Sequence, residues 1–534
     1  MSDVASCDYI VVGGGSAGCV VASRLSDNQD NRVVLLEAGG DTNTWKIKLP
    51  ALSMLEAIGD PKYDWNLRYA ADPTCNDREF VLNRGLGLGG SSAINGMVYL
   101  RGGANDFSPW RQRVGDQWTW ETVSAAYQSI EASARSDEDR GTAGPQRTEI
   151  RKEIHPLTQA FLDACHDIGL ERQDGLNVDQ PDVYGLVEAT QSGGIRASAA
   201  RSFIYERPNK ANLQIIKYAR AQRIVFEDGR AVGVEYLLDG ARRTVRAEKE
   251  VVLSAGAVMS PFLLMHSGIG PAAKLSEFGI DVTCDSPEVG QNLIDNAETM
   301  VTYEVAQRTV NQELSIIDKM RHGLKWTLTR DGRVAMPGAD ALALLKTGQD
   351  EAPGSDVLVY YGPYEAMMRD GEVVMGEGSG ITFDPTPMHP KSRGFLKLQS
   401  PNPQDAPLIQ THLLEDERDV QVALRGMRWV DKLVQSPALS KHIKQRKAPV
   451  AAAASDEDMI AYMRAVARPS LHTSGTCRMG PDKTSVLDQY LRVRGVEGLR
   501  VADTSVLPEI GAVNTNAVAM MVGQRCADFI RQAA

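Results

Sequence analysis

Three glycines near the start of the chain have the spacing of a pyrophosphate-binding turn. Gly13, Gly15 and Gly18 form the pattern G-x-G-x-x-G directly after the apolar stretch 8–12. In such a pattern the first glycine permits a tight turn, the second lets a phosphate approach the backbone, and the third lets a helix pack closely on a sheet. Glu37 follows Gly18 by 19 residues, where a carboxylate can accept hydrogen bonds from an adenosine ribose. The spacing predicts a dinucleotide site, for FAD or NAD(P), against the alternative of an ordinary glycine-rich turn.

A second glycine-rich stretch, residues 83–96, could serve the same cofactor. Gly89, Gly90, Ser91 and Ser92 offer backbone N–H groups and hydroxyls that can surround a phosphate or a flavin edge. A flexible loop is the alternative, but the interleaved apolar residues favour packing.

His472 is the candidate for acid–base chemistry. It lies in a loop of small residues, 471–480, and histidine is the side chain that most often serves as a general base. By contrast, His389 lies in a proline-flanked turn, which we interpret as structural.

These residues need a sheet and helices to position them. Residues 8–12 and 32–36 are predicted buried strands with a helix between them, and 212–254 alternate like an antiparallel meander with turns at Asp-Gly pairs. The meander leads into a strand that ends at the turn Ala255–Gly256. Residues 136–153 are predicted to form an exposed excursion, and the run Ala451–Ala454 a surface joint.

Composition excludes several classes of partner. The chain of 534 residues carries a net charge of −11, which argues against nucleic acid or an anionic membrane surface as the main partner. Seven scattered cysteines favour free thiols in a reducing compartment, so we expect a cytoplasmic protein with no metal site. We expect neither a signal peptide nor a membrane span. No oligomeric state follows from the sequence.

The chain resembles the glucose–methanol–choline (GMC) family of FAD-dependent oxidoreductases, in its choline-dehydrogenase-like and alcohol oxidase branch. The opening glycine pattern and the second glycine stretch look like the first family signature, and the other matches occur in family order along the whole chain. Those matches are Tyr99–Gly102, Arg196–Ala200, Gly256–Gly270, Val289–Leu293, His389–Gly394 and the last 70 or so residues.

The resemblance implies FAD as cofactor and a set of residues that contact it. They come from both glycine stretches, the meander and the C-terminal part of the chain. They are Gly13, Gly15, Ser16, Ala17, Gly18, Glu37, Ala38, Trp65, Arg84, Gly89, Gly90, Ser91, Asn95, Gly96, Met97, Val98, Ala221, Ala255, Gly256, Asp503, Asn514, Thr515 and Asn516.

The resemblance also implies the catalytic pair and the reaction. His472 matches the family's catalytic histidine and Asn514 its second catalytic position, while Asn516 matches a residue that more often meets the flavin. A neutral His472 would take the hydroxyl proton of a primary alcohol, and Asn514 would donate a hydrogen bond to the alkoxide. Hydride would pass to flavin N5, and an aldehyde would result. Reduced flavin would then meet O2, a quinone or another acceptor.

Departures from the family pattern add three expectations. Ile94 replaces the histidine that binds flavin covalently in some members, so we predict non-covalent FAD. Asp295–Asn296 replaces a frequent Asp-His pair, to which we attach no mechanistic weight. No residue is matched to the acid that some members use for a quaternary ammonium group, which argues against choline itself.

The resemblance implies an α/β fold (α+β overall) of two interleaved domains. A Rossmann-like FAD-binding domain would comprise 1–155, 190–300 and 463–534, and a substrate-binding domain with an antiparallel sheet and helices would comprise 156–189 and 301–462. Alternatives to alcohol oxidation are an FAD-containing lyase of the same family that splits cyanohydrins, a nicotinamide-dependent Rossmann enzyme and a non-catalytic binding protein.

Overall fold

The computed structural model of the protein describes residues 6–133, 135, 137, 139–207, 210–348, 354–369, 372–449 and 455–533. The predicted surface joint at Ala451–Ala454 and the first five residues lie outside these ranges.

A seven-stranded mixed sheet, here called the first sheet, carries the opening glycine turn. Its parallel part runs in the order Leu213–Lys217, Val33–Glu37, Ser6–Val12, Ala241–Leu253, and Leu499–Val501 joins the last of these, also in parallel. All five residues of Val33–Glu37 are buried, as expected for a parallel strand that is covered on both faces. The carboxyl ends of these strands therefore meet at one edge of the sheet.

The meander is shorter than the sequence pattern predicted. Arg220–Glu227, Arg230–Leu238 and Ala241–Leu253 are antiparallel neighbours. The Asp-Gly pairs between them both have positive φ, +48° and +78° at 228–229 and +53° and +76° at 239–240, the conformation of tight hairpin turns. Leu213–Lys217, predicted as part of the meander, instead pairs in parallel with Val33–Glu37, because alternation indicates a strand but not its partner.

A second seven-stranded sheet faces the first across the cavity described below. Its neighbours are antiparallel except for the final pair, and its order is Ile443–Ala448, Val301–Val305, Gly380–Pro387, Val357–Gly362, Ala341–Leu345, Val183–Leu186, Glu171–Arg172. Smaller hairpins are Leu67–Asp72 with Arg78–Leu82, Ala366–Arg369 with Glu372–Met375, and Phe395–Lys397 with Leu408–Gln410.

Helices cover both sheets. The C-terminal helix Thr515–Ala533, which includes the predicted span 517–529, packs against Ser16–Leu25. A Cβ atom on Gly523 would lie 2.6 Å from the carbonyl oxygen of Ala17, so glycine allows this close approach. In the described part of the chain, we find no helix with the length and apolarity needed to cross a bilayer. The other helices of at least six residues are Ala104–Arg113, Trp120–Ile130, Pro156–Asp167, Gly256–His266, Ala272–Glu277, Ile316–Thr329, Glu417–Leu433 and Asp456–Val466.

The predicted exposed excursion at 136–153 is wrong in part, because Arg140, Gly141, Gln146 and Thr148 are buried. Arg140 is buried and donates hydrogen bonds to Glu131 Oε1 and Glu188 Oε2, both with a donor–acceptor distance of 3.0 Å. Arg101 joins the same carboxylate of Glu131 at 3.2 Å. Each buried charge has an opposite partner, as burial requires, and the polar composition of the segment reflects this ion cluster.

The two sheets draw on different parts of the chain. Strands of the first come from residues 6–37, 213–253 and 499–501, and strands of the second from 171–186 and 301–448. The structure therefore has the mixed α/β architecture that was predicted, with its Rossmann-like part built on the first sheet. The boundaries given above for the two domains stay a prediction.

Candidate active site

A cavity of about 440 Å³ lies where the first sheet's carboxyl edge meets the second sheet. All of the predicted cofactor residues except Gly18 and Gly89 line it, and so do both predicted catalytic residues, His472 and Asn514. The sequence-predicted set, drawn from distant parts of the chain, is thus assembled around one space.

The opening glycines take the conformations that the spacing requires. Gly13 has φ +98°, and a Cβ there would lie 2.6 Å from the carbonyl oxygen of Ser254. At Gly18 a Cβ would lie 1.9 Å from the carbonyl oxygen of Gly13, so this glycine serves helix–strand packing and does not reach the cavity. The helix that starts at Ser16 has no side-chain cap. Its first N–H groups are therefore available to a phosphate.

Glu37 joins the two glycine stretches. Its carboxylate accepts backbone hydrogen bonds from Gly14 at 2.8 Å, Gly39 at 2.7 Å and Gly87 at 3.0 Å. Burial raises the pKa of Glu37, and these N–H groups oppose the shift. The side chain also lies on the cavity wall, so it both holds the loops and offers an acceptor to a ribose.

Gly89 holds the second stretch against the first. Its N–H donates to the carbonyl oxygen of Gly14 over 2.6 Å, and its φ is +93°. At the next residue, Gly90, a Cβ would lie 2.7 Å from the Cα of Gly15. Ile94, at the position of the covalent histidine, is buried and lines the cavity.

The C-terminal residues complete the cofactor cradle. Asp503 accepts hydrogen bonds from Gly256 N at 2.9 Å and Ser260 Oγ at 2.6 Å. These bonds fix the turn between the strand Ala241–Leu253 and the helix Gly256–His266. Ser16 Oγ donates to Asn516 Oδ1 over 2.7 Å. Uncapped helix N–H groups, close glycine approaches and an acceptor at Glu37 fit an FAD molecule in this cavity.

His472 and Asn514 face one another. Asn514 Nδ2 lies 3.0 Å from His472 Nε2 and 2.9 Å from the hydroxyl oxygen of Tyr360. Asn514 Oδ1 is buried and has no hydrogen-bond partner among the described residues. Its side chain therefore accepts no hydrogen bond from the N–H groups of the helix Thr515–Ala533 and does not cap it.

Asn296 determines which nitrogen of His472 is protonated. Its Oδ1 lies 3.2 Å from His472 Nδ1, and its Nδ2 donates to the carbonyl oxygen of Pro387 over 2.9 Å. Since a carbonyl oxygen only accepts, the amide oxygen must face the imidazole, and Nδ1 must carry the proton. Nε2 then keeps its lone pair. The sequence pattern attached no mechanistic weight to residue 296, whereas the structure places its side chain against the imidazole.

The charge state of His472 follows from its surroundings. Burial lowers its pKa to about 4, while Glu298 raises it and Arg84 lowers it further. The backbone N–H of His472 donates to Asp295 Oδ1 over 2.9 Å, and Arg84 Nη1 donates to the carbonyl oxygen of Leu471 over 2.8 Å. The imidazole is thus held neutral near pH 7 and fixed in place.

Carboxylates and an arginine line another part of the cavity wall. Arg468 donates to Glu298 Oε2 through Nε at 2.9 Å, and its Nη2 lies 3.6 Å from Asp384 Oδ2. Burial raises the pKa of Asp384, and Arg468 opposes that shift. Asp384 Oδ1 is buried without a partner among the described residues. Glu298, in contrast, is already paired.

Sequence reasoning missed the cavity residues contributed by the second sheet and by the separate strand pair Ala297–Glu298 with Arg468–Pro469. Tyr360 lay within a recognised apolar strand, but nothing in that strand marked its hydroxyl as a site group. Asp384, Glu298 and Arg468 carried no motif. Residue 296 was the exception, because Asp295–Asn296, just after the Val289–Leu293 match, had been noted as a departure from the family's Asp-His pair. His389 does not line the cavity.

The chain is similar over nearly its whole length to known dehydrogenases and oxidases. The chain is 35% identical over 529 residues to an alcohol dehydrogenase [acceptor] of Pseudomonas putida, covering 98% of this chain and 95% of that one. It is 35% identical over 528 residues to an oxygen-dependent choline dehydrogenase of Brucella suis biovar 1, with the same coverages. The solved structure of pyridoxine 4-oxidase from Mesorbium loti superposes with a TM-score of 0.88 at 26% identity, covering 98% of this chain and 99% of that one.

The family itself follows from the domain models. Residues 7–298 and 390–523 match the N-terminal and C-terminal models of the GMC oxidoreductases. The chain therefore belongs to the GMC oxidoreductase family, and it is an FAD-dependent oxidoreductase that acts on CH–OH donors.

Proposed function

We propose that the protein oxidises a primary alcohol to an aldehyde with His472 as general base and Asn514 as hydrogen-bond donor to the alkoxide. The observation that carries the proposal is the 3.0 Å separation of His472 Nε2 and Asn514 Nδ2 on the wall of the cofactor cavity. A substrate hydroxyl that displaces this hydrogen bond would lie beside both atoms, give its proton to Nε2 and accept from the Nδ2 N–H that is set free.

The surroundings of His472 support the base assignment. Asn296 keeps the proton on Nδ1, so that Nε2 is the basic atom, and burial keeps the ring neutral. Asn514 cannot itself take the proton, but its amide can stabilise the developing oxyanion. Bound FAD supplies the acceptor for the hydride that leaves the carbinol carbon. Its reoxidation by O2 or by another acceptor, such as a quinone, belongs to the same proposal.

Two further properties are proposed with it. FAD is bound non-covalently, because Ile94 offers no nucleophile at the position where some members attach the flavin. The protein is cytoplasmic, which the seven free cysteines support. We do not propose choline as substrate, since Arg468 already neutralises Glu298 at 2.6 Å.

The test is to follow flavin absorbance at about 450 nm under anaerobic conditions while primary, aromatic and amino alcohols are added. Bleaching by one class identifies the substrate type, and the rate of recovery in air separates an oxidase from a dehydrogenase. Absence of bleaching by every alcohol, together with cyanide release from a cyanohydrin, would replace the proposal with the lyase. Acid precipitation should leave the yellow colour in the supernatant, and colour in the pellet would contradict non-covalent FAD.

A further inference from the structure

The helix Ile316–Thr329 touches the rest of the protein along a narrow line. Asp318 and Trp326 are its buried residues, and the partly buried His322 lies between them at four-residue spacing. Trp326 Nε1 donates to the carbonyl oxygen of Gly194 over 2.9 Å. Ser315 caps the helix through its Oγ, which accepts from Asp318 N over 3.1 Å. The helix is therefore well anchored although most of it faces outward.

The outward side of this helix is apolar. We call it the outer helix face, formed by side chains that are 63–77% exposed: Ile316, Ile317, Met320, Leu324 and Leu328. Four of them lie two residues from an inward position, which places them about 200° around the helix axis. Isolated exposed apolar side chains are ordinary, but a continuous set of this kind marks an interaction surface.

The apolar surface extends from the outer helix face toward the cavity. Trp45 is 60% exposed, and its ring meets that of Trp326 edge-on with the centroids 6.4 Å apart. Leu55 and Ile58, in the same stretch of chain as Trp45, are also exposed. Ile58 lines the cofactor cavity as well. One apolar surface thus includes a residue of the cavity mouth.

The charges beside the outer helix face are basic. Lys319 and Arg321 flank it, are exposed, and make no ion pair with the described residues. Arg330 lies over the Trp326 ring at 4.2 Å. Asp318, the helix's one acidic residue, faces inward and accepts from Ser315 Oγ over 2.7 Å. The local charge is opposite to the net −11 of the chain, on which the expectation against an anionic membrane was based.

We propose that the outer helix face rests on the surface of an anionic phospholipid bilayer. Apolar side chains opposite the anchored side would enter the boundary of the acyl region, and Lys319 and Arg321 would meet the phosphates, as in interfacial amphipathic helices. A second copy fits less well, because a two-fold contact would bring the same basic residues together. The proposal is independent of the roles given to His472 and Asn514.

The experiment is sedimentation of the FAD-loaded protein with vesicles of phosphatidylcholine alone or mixed with phosphatidylglycerol. We expect binding to the mixed vesicles only, and weaker binding in high salt. Met320→Ser/Leu324→Ser should lower the partition coefficient at least about tenfold because apolar insertion is lost. Lys319→Glu/Arg321→Glu should lower it by about 30-fold or more. Flavin content and flavin bleaching by a soluble alcohol should not change.

Matched controls separate this surface from general effects. Val282→Ser/Met375→Ser removes exposed apolar side chains elsewhere, and Lys432→Glu/Lys441→Glu makes the same charge change at exposed lysines outside the helix. Both should bind vesicles like the unchanged protein. Failure of the unchanged protein to bind mixed vesicles overturns the proposal. So does equal loss in the controls, or a dimer in sedimentation velocity that only Met320→Ser/Leu324→Ser dissociates.

Discussion

At the scale of single residues, the site is organised by two uncharged amides around one imidazole. Asn296 faces His472 Nδ1 and Asn514 faces Nε2. A carboxylate at either nitrogen would favour imidazolium, whereas an amide orients the ring without that electrostatic effect. Burial can therefore lower the pKa of His472 to about 4, and the ring is ready to accept a proton at neutral pH.

Replacing His472 should separate chemistry from cofactor binding. We expect His472→Ala to slow flavin reduction by at least about 10², because the hydroxyl proton loses its acceptor. FAD should stay bound, since the cradle residues are unchanged. Stopped-flow absorbance measures the rate, and His166→Ala, on the exposed side of Pro156–Asp167, is the control. Reduction at the unchanged rate would be incompatible with the base assignment.

The pH profile should report the amide environment of His472. Because the base acts when neutral, kcat/KM for flavin reduction should be flat above pH 4 and fall below it. Asn296→Asp places a carboxylate beside Nδ1, which stabilises the imidazolium. The pH below which kcat/KM falls, the acid limb of the profile, should therefore rise by about 1 to 3 units.

Asn28→Asp makes the same charge change on the surface and should leave the limb where it is. An unchanged limb in Asn296→Asp would show that residue 296 does not act on the imidazole.

Asn514 should matter for rate more than for stability. Asn514→Ala is expected to cost about 10²–10³ in the rate of flavin reduction if the amide donates to the oxyanion. Asn514→His keeps a donor and should recover part of the rate. A lowered melting temperature with a normal rate in Asn514→Ala would instead indicate a structural role.

At the scale of elements, the glycine turn depends on one close approach. Gly18→Ala would put a Cβ 1.9 Å from the carbonyl oxygen of Gly13, so we expect a loss of about 1–3 kcal/mol in the free energy of unfolding and weaker FAD binding. Gly323→Ala, also within a helix, meets no atom within 4 Å and should be neutral or stabilising by up to about 1 kcal/mol. Thermal unfolding and flavin content measure both. Equal effects would contradict the packing argument.

Elements whose requirements are local could be predicted from the sequence. The roles of Gly13 and Gly18 could be predicted because turn and packing geometry within one βα unit requires glycine there. The two Asp-Gly hairpins could be predicted because these residue types tolerate the positive φ angles that tight turns need. The partner of Leu213–Lys217 could not be predicted, since alternation is the same in both kinds of sheet. Asn296 contacts a residue 176 positions away, and the buried cluster at Glu131 likewise depends on contacts that no spacing reveals.

At the scale of the whole molecule, the cofactor cavity joins both sheets, so FAD should stabilise the entire fold. Removal of FAD is expected to lower the melting temperature, and excess FAD should restore it. At 100 times its dissociation constant, FAD contributes about 2.7 kcal/mol. Calorimetry of the apoprotein with increasing FAD checks this. Two separate transitions, of which FAD shifts one, would show that the sheets unfold independently.

The hydrogen bond between Ser16 and Asn516 spans 500 positions of the chain. During synthesis the amino-terminal helix leaves the ribosome long before its partner exists, and the strand Leu499–Val501 is equally late. The cofactor site therefore stays incomplete, and the apolar faces of its first strands stay uncovered, until translation is nearly finished. A complete flavin site can therefore form only near the end of translation, and before then we expect chaperones to protect the uncovered apolar faces from aggregation.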